Sequence, residues 1–124
     1  MPAKRFPPPL LAQIDAARSL GVRSGDDHKH TNVWVVVIKG RVLVRSWNDK
    51  PTGWFRAFKK RPLGAIVLKG KLFRARGVPV RSAALIKAAS DAYRLKYPHK
   101  GSRQYVDGFR EPARQRATLE LVPA

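Results

Sequence analysis

The chain has no cysteine among its 124 residues, and this absence removes several kinds of chemistry at once. A protein without cysteine has no disulfide framework, no thiolate metal site and no catalytic thiol. Long hydrophobic runs are also absent, because the longest, from Val33 to Ile38, is far shorter than the roughly 18 residues of a membrane span. The sequence therefore predicts no membrane-spanning segment and leaves any chemistry to oxygen and nitrogen groups.

Acidic residues are scarce, with 8 Asp and Glu against 26 Lys and Arg, which gives a formal charge of +18. A charge of this size attracts polyanions and phosphorylated small molecules, so nucleic acid is one partner that it favours. The basic residues are spread over predicted strands and helices instead of forming one block, and a solvated cationic surface explains that spacing equally well. The few carboxylates also provide no pair placed for general acid and base catalysis.

The sequence favours neither a metal site nor a nucleophile. His28 and His30 lie close together, but Lys29 between them repels a cation and no third imidazole is near, so a solvated loop is the favoured interpretation. The serines and threonines lack the elbow sequence and the placed histidine of a nucleophilic site. A bound cofactor is then the expected source of any difficult chemistry.

The segment before residue 10 is rich in proline and lacks the apolar stretch of a signal peptide. We expect residues 1–9 to form a disordered tail on a cytoplasmic protein. Residues 10–124 have the length of a single domain, and the 44% apolar composition of the chain is enough to build a core.

Apolar periodicity and turn residues predict the order of helices and strands along this domain. Leu10 to Leu20 repeat at helical spacing, and Gly21 is typical of the residue that ends a helix. The apolar run over 33–38 predicts a strand that is covered on both faces. The further predicted elements are, in chain order, a strand over 41–46, a short helix over 54–61 that Thr52 caps, strands over 64–69 and 71–80, a helix over 83–97 that Ser82 caps, a helical turn over 105–109 and a strand over 117–122.

Connections between the first four predicted strands are too short for parallel crossovers, so the sheet should be mainly antiparallel. Five or six such strands close most naturally into a small, mainly antiparallel β-barrel, and the flanking helices make the fold class α+β. In the later hairpin, Arg74 and Arg76 share a face with Leu72 and Val78. Two arginines on an apolar face require anionic partners, a bulge near Gly77 or exposure to solvent.

Four short segments combine cations, hydroxyls and backbone amides next to glycine, which are the groups that bind phosphate. Each segment alone is equally typical of turns and helix caps in a basic protein, but the predicted hairpins could bring all four to one end of the barrel. These segments are Arg23-Ser24-Gly25, Lys29-His30-Thr31, Arg45-Ser46 and Lys50-Pro51-Thr52-Gly53.

The three tryptophans are the other candidates for ligand binding. Trp34 lies inside an apolar strand and is predicted to belong to the core. Trp47 and Trp54 flank a polar loop, where they either wall a flat ring or a nucleobase, or pack the short helix onto the barrel.

After the tail, the chain resembles the split-barrel superfamily of flavin-binding and deazaflavin-dependent oxidoreductases. The segments GVRSG at 21–25 and KHT at 29–31 are similar to the glycine turn and basic segment of its deazaflavin-dependent nitroreductase-like members. The segment WFRAF at 54–58 is similar to the aromatic segment of those members. The chain departs from their pattern at Asn32, which stands in place of a proline, and at Ala57, which stands in place of an asparagine.

The resemblance implies a homodimer with its cofactor, FMN or a deazaflavin coenzyme, at the boundary between subunits. It also implies hydride transfer from the reduced ring to a small acceptor, and it assigns no catalytic residue. The candidate cofactor-binding residues are Arg23, Ser24, Lys29 and Thr31 at the phosphate, and Arg45, Ser46, Trp47, Asn48 and Lys50 near the ring, with Trp54 as a further wall.

Two other hypotheses remain open from the sequence. In the first, the protein is a basic binding protein for nucleic acid or a phosphorylated metabolite, on the same barrel but without redox activity. A nucleic-acid binder of this kind requires Arg41, Arg45, Arg74 and Arg76 on one continuous outer face. In the second, the protein is a dimeric interaction module without a ligand.

Overall fold

The computed structural model describes residues 5–25, 29–47 and 53–124, with Lys100 described only in its backbone. These ranges contain five helices and seven strands. Their order is α1 (Pro8–Ala16), β1 (Leu20–Ser24), β2 (Thr31–Val33), β3 (Val35–Ile38), β4 (Arg41–Arg45), α2 (Trp54–Lys60), β5 (Leu63–Leu68), β6 (Lys71–Pro79), α3 (Ala83–Lys96), α4 (Lys100–Gly108), α5 (Pro112–Gln115) and β7 (Thr118–Pro123).

The strands form one antiparallel sheet in the order β2-β1-β5-β6-β7-β4-β3. Trp34 alone separates β2 from β3, although these strands lie at opposite ends of that order. The sheet must therefore curl until its two ends meet, which makes a nearly closed barrel. The predicted α+β class and the antiparallel sheet are confirmed, with seven strands in the described residues instead of five or six.

The prediction of a helix from Leu10 to Leu20 is wrong at its C-terminal end. Helix α1 ends at Ala16, and both Leu20 and Gly21 belong to β1. Leu20 pairs with Val33 of β2 and is fully buried, so strand pairing outweighs the helical spacing of the apolar residues. A glycine fits at 21 because a Cβ there would lie 3.0 Å from the Cβ of Val67 on the neighbouring strand.

The apolar run over 33–38 is two strands instead of the predicted one. Val33 ends β2, which pairs with β1, whereas Val35 begins β3, which pairs with β4. Trp34 lies at the crossing between the two ends of the sheet. Periodicity cannot show this change of partner, because both strands are apolar.

Elements that depend on local signals follow the prediction closely. In the two hairpin turns, Lys39-Gly40 and Lys69-Gly70 all have positive φ, which suits glycine and matches the twist of the adjoining strands. The Ser82 hydroxyl accepts a hydrogen bond from the Leu85 N–H at 3.2 Å and caps α3. The residue before α2 is Gly53, while Thr52, the predicted cap, lies outside the described residues.

The N-terminal segment contributes to the core from Phe6 onward. Phe6 is buried, and α1 begins at Pro8, inside the part of the chain that was expected to be a proline-rich tail. A proline fits the first turn of a helix because the N–H it lacks has no partner there.

Two apolar clusters hold the fold. The first fills the barrel, with side chains such as Val22 and Ile66 from the strands and Ile14 and Phe58 from α1 and α2. The second lies between the outer face of β3 and β4 and the helices α3 and α4. The outer face of β5 and β6 is instead exposed, so exposure to solvent is the explanation for the arginines of β6. In the part of the chain that the structure describes, no helix has the length and apolar character needed to cross a membrane.

Candidate functional site

A cavity of about 580 Å³ opens where β2, the end of β4, the start of α2 and α4 meet. Its volume lies in the range of small-molecule sites. We call it the tryptophan pocket because all three tryptophans of the chain line it. Its described lining residues are Thr31, Asn32, Val33, Trp34, Arg45, Ser46, Trp47, Gly53, Trp54, Tyr105 and Phe109.

The pocket has a buried floor and a more exposed rim. Arg45, Ser46 and Phe109 are buried, whereas Thr31 and Tyr105 are exposed. The tryptophans lie between these limits, each partly buried. Flat apolar walls over a polar floor suit a planar ring that carries polar groups on one edge.

Trp34 packs against the second apolar cluster, as predicted for a core residue, and it also lines the pocket. Its ring stacks on Tyr97 with centroids 4.3 Å apart and planes 6° from parallel. The Tyr97 hydroxyl donates to the Arg18 carbonyl at 2.7 Å and accepts from the Val35 N–H at 3.2 Å. These bonds fix Tyr97, and the stacking then fixes Trp34.

Trp47 is held by residues that follow it by about sixty positions. The guanidinium carbon of Arg114 lies 3.5 Å from the centre of the Trp47 ring, and Arg114 Nε donates to the Trp47 carbonyl at 2.9 Å. A Cβ at Gly108 would lie 2.4 Å from the same ring, so only glycine leaves room for it. Tyr105 and Phe109 meet the ring edge-on at 5.1 and 5.7 Å between centroids.

Arg45 in the pocket floor is 2% exposed, yet none of its hydrogen-bond acceptors is charged. Nε donates to the Thr118 hydroxyl at 2.8 Å, and Nη1 donates to the Ser90 hydroxyl at 2.8 Å and to the Phe109 carbonyl at 2.9 Å. Nη2 donates to the Ile86 carbonyl at 3.0 Å. One side chain therefore ties β4 to β7, α3 and the end of α4.

This guanidinium makes the pocket electropositive. Burial lowers the pKa of Arg45 from its ordinary value, but an arginine remains charged at physiological pH. Arg45 is the only ionised side chain among the described residues of the lining. Its charge is met by dipoles and not by a carboxylate, so an anionic group entering the pocket would find an uncompensated cation.

The structure brings five of the predicted site residues to this pocket: Thr31, Arg45, Ser46, Trp47 and Trp54. The backbone N–H of Ser46 donates to the Ala117 carbonyl at 3.0 Å. Asn48 and Lys50 lie outside the described residues, in the segment between Trp47 and Gly53.

Three predicted phosphate ligands lie elsewhere. Ser24 is buried, and its hydroxyl lies 2.7 Å from the Arg61 carbonyl and 3.0 Å from the Ala57 carbonyl, where it secures the end of α2. Arg23 lines a separate groove on the outer face of the sheet. Lys29 is exposed and does not line the pocket.

The arginines named for a nucleic-acid surface do not share one exposed face. Arg45 is buried, and Arg41 forms two hydrogen bonds to Glu120, at 2.9 and 2.6 Å. Arg74 and Arg76 remain on the outer face of β6. In the described part of the chain no three metal-ligating side chains lie together, while His28 and the aspartates before it lie outside that part.

Sequence reasoning missed the contribution of α4 and of the segment after it. Tyr105 and Phe109 were recognised only as apolar residues of a helical turn, and Gly108 and Arg114 carried no local signal. The spacing of two aromatic residues one helical turn apart suggests one face, but nothing in it indicates Trp47 as the partner.

A buried tyrosine, Tyr93, should make the protein less stable at alkaline pH. Burial raises the pKa of Tyr93 far above its ordinary value near 10, and the Tyr93 hydroxyl donates to the Trp34 carbonyl at 2.9 Å. The stabilisation is complete below about pH 10 and is lost as the pH rises further, because only the unfolded chain releases this proton.

We therefore expect the free energy of unfolding to fall above pH 10, with Tyr93 contributing about 1.4 kcal/mol per pH unit. Urea denaturation from pH 8 to 11 measures this slope. The variant Tyr93→Phe should have a free energy of unfolding about 1 kcal/mol lower at pH 8. Above pH 10 its free energy of unfolding should fall less steeply than that of the wild type, by about 1.4 kcal/mol per pH unit. Parallel pH profiles for the two proteins would contradict the assignment.

Comparisons with known proteins give a family and a fold. The chain matches a family described as an uncharacterised protein conserved in bacteria, DUF2255, over residues 10–121. No curated protein matches it. Among solved structures, it is similar to the conserved hypothetical protein Rv2991 from Mycobacterium tuberculosis, with a TM-score of 0.60, 12% identity, and coverage of 96% of this chain and 79% of that one. At this identity the similarity shows the fold alone, an antiparallel barrel.

Proposed function

We propose a ligand for this chain, which belongs to the DUF2255 family of uncharacterised proteins conserved in bacteria. In this proposal the tryptophan pocket binds the ring of FMN or of a deazaflavin coenzyme. On this proposal the protein belongs to the split-barrel flavin and deazaflavin superfamily. It is a cytoplasmic oxidoreductase that passes a hydride from the reduced ring to a small acceptor.

One observation carries the proposal: three tryptophans from three segments of the chain line one cavity above a buried guanidinium. Tryptophans that only fill the core would have no reason to border the same cavity, so their arrangement supports a ligand site. Base stacking on an aromatic side chain contributes about 1–3 kcal/mol, so several such walls suffice for micromolar ring binding.

The residues of the pocket fit the chemistry of such a cofactor. Arg45 in the floor would stabilise negative charge on the reduced ring, since a cation near the ring tunes its electronics. Thr31 and Asn32 at the rim would hold the phosphate through hydroxyl and amide groups. The cofactor supplies the hydride when bound. The protein binds and orients the ring, and the tryptophans limit the access of water to it.

The rim also suits a boundary between two subunits. Thr31, Asn32 and Tyr105 are exposed around the mouth of the pocket, so a second copy of the chain could complete the site. We include a homodimer in the proposal on this ground, in line with the resemblance to split-barrel enzymes.

Titration with FMN and with a deazaflavin coenzyme tests the proposal, read by the ring absorbance and by the melting temperature. We expect saturable binding of one of the two and a rise in melting temperature that grows with ligand concentration. The variant Trp54→Ala should bind about tenfold more weakly, because it loses one stacking surface.

Phe73→Ala is the matched control, since Phe73 is a partly buried aromatic residue on β6 that does not line the pocket. It should lower the melting temperature of the free protein and leave the ligand affinity unchanged. Equal cofactor affinities for the Trp54→Ala variant and the wild type would show that the ring does not bind in this pocket. Reoxidation of the reduced cofactor by a small nitroarene, measured with and without protein, separates an enzyme from a binding protein.

A further inference from the structure

The outer face of β1, β5 and β6 carries arginines in a regular arrangement. Arg23, Ala65 and Arg74 occupy one row across the three strands, and Arg76 lies opposite Leu63 in the next row. Strand spacing places the Cα atoms of Arg23 and Arg74 about 10 Å apart, and those of Arg74 and Arg76 about 7 Å apart. We call this surface, with Arg61 beside it, the arginine face.

A groove of about 320 Å³ lies within this face, lined by Arg23 of β1, Arg74 of β6 and Arg61, which follows α2. Arg23 Nε donates to the Gly25 carbonyl at 3.2 Å, and a Cβ at Gly25 would lie within 3 Å of the Arg61 guanidinium. Arg74 approaches from the opposite side, on β6. Ala65 between them is 1% exposed although it lies on the outer face, so larger neighbours cover it.

Most described carboxylates lie away from the arginine face, and those that form ion pairs do so with other cations. Five of the eight acidic residues are described, and none belongs to β1, β5 or β6 or lines the groove. Three of them pair with other cations: Asp91 with Lys87, Glu111 with Arg114, and Glu120 with Arg41. Asp26, Asp27 and Asp49 lie outside the described residues. Glu120 lies opposite Val78 at the border of this face, but its carboxylate binds Arg41, and no described carboxylate lies on the strands that carry Arg23, Arg74 and Arg76.

Aliphatic side chains alternate with the arginines and are unusually exposed. Leu63, Leu72 and Val78 are 45%, 49% and 41% exposed on the same face as Arg74 and Arg76. One phosphate ion would occupy the groove but leave Arg76 and the aliphatic side chains without a partner. A flexible strand of nucleotides would cover all of them, with phosphates at the guanidinium groups and sugars and unpaired bases against the leucines and the valine.

We propose that the arginine face binds single-stranded nucleic acid through its phosphate backbone, without sequence specificity. The affinity comes mainly from counterion release, so it must fall steeply with salt. Unpaired bases are required because a duplex would keep its bases away from the aliphatic side chains. This site shares no described residue with the tryptophan pocket, and the two proposals can fail separately.

Fluorescence anisotropy with a labelled 20-nucleotide oligothymidine, over a series of salt concentrations, tests the proposal. The double variant Arg74→Gln/Arg76→Gln should bind at least tenfold more weakly, with a log–log salt slope shallower by about 1.4, from 0.7 for each lost phosphate contact. The control Arg94→Gln/Arg103→Gln removes the same charge from exposed positions on α3 and α4. It should change the affinity by less than about twofold, since the contacts remain.

Equal losses in the two variants would overturn the proposal, because binding would then depend on net charge alone. Tighter binding of the corresponding duplex would also overturn it. If pyrophosphate displaced the oligothymidine at a concentration equal to that of the oligonucleotide phosphates, the groove would instead be a site for a small phosphorylated ligand. Both variants change exposed side chains, and unchanged melting temperatures verify that they fold.

Discussion

Replacing Arg45 with methionine lowers the free energy of unfolding by about 3–5 kcal/mol. The substitution removes four hydrogen bonds, and the hydroxyls of Ser90 and Thr118 then keep only the bonds that they donate, to the Ile86 and Gln115 carbonyls. The carbonyls of Ile86 and Phe109 lose the same partner. Because these acceptors lie on three different elements, the layer of α3 and α4 should loosen from the barrel.

Urea denaturation at pH 7 measures the loss, and Arg94→Met provides the comparison because Arg94 is an exposed arginine on α3. That control should change the free energy of unfolding by no more than about 0.5 kcal/mol. A loss below about 1 kcal/mol for Arg45→Met would show that an apolar chain replaces the network without cost, as happens for some buried ion pairs. The structural role given to Arg45 would then be wrong.

Gly64→Ala has the second large effect, of about 3 kcal/mol. A Cβ at position 64 would lie 1.9 Å from the Arg23 carbonyl oxygen on β1, and a backbone atom cannot move aside as a side chain can. Gly64 pairs with Ser24, whose hydroxyl secures the end of α2. The alanine therefore forces β1 and β5 apart at the place where α2 is attached.

Gly101→Ala is the matched control for this substitution. Nothing lies within 4 Å of a Cβ at position 101, which belongs to α4, so the same added methyl should stabilise the protein by about 0.5–1 kcal/mol. Thermal and urea denaturation should show a lower free energy of unfolding for Gly64→Ala and a higher one for Gly101→Ala. If Gly64→Ala were as stable as the wild type, the close approach of β1 and β5 would be refuted.

The parts of the fold that sequence could predict are those with local causes. The hairpin turns at Gly40 and Gly70 require positive φ, and Ser82 supplies its own cap, so neighbouring residues determine these elements. Strand β1 has no such signal. Leu20 and Gly21 become strand residues only because Val33 and Val67 pair with them from other parts of the chain.

The candidate site divides in the same way. Trp47 and Trp54 identified one side of the pocket, because aromatic residues that flank cations and hydroxyls in the sequence are a local pattern. The other side depends on α4, with Tyr105 about sixty residues away. The buried network of Arg45 was likewise out of reach, since its acceptors lie 41 to 73 residues further along the chain.

Tryptophan fluorescence during titration with the ring cofactor tests the central claim most directly. The chain has three tryptophans, and Trp34, Trp47 and Trp54 all line the same pocket. A flavin or deazaflavin ring bound there lies close to every emitter, so we predict that one equivalent quenches most of the tryptophan emission. Oligothymidine should leave the emission unchanged. Cofactor binding that left the tryptophan emission intact, or no cofactor binding at all, would contradict the account.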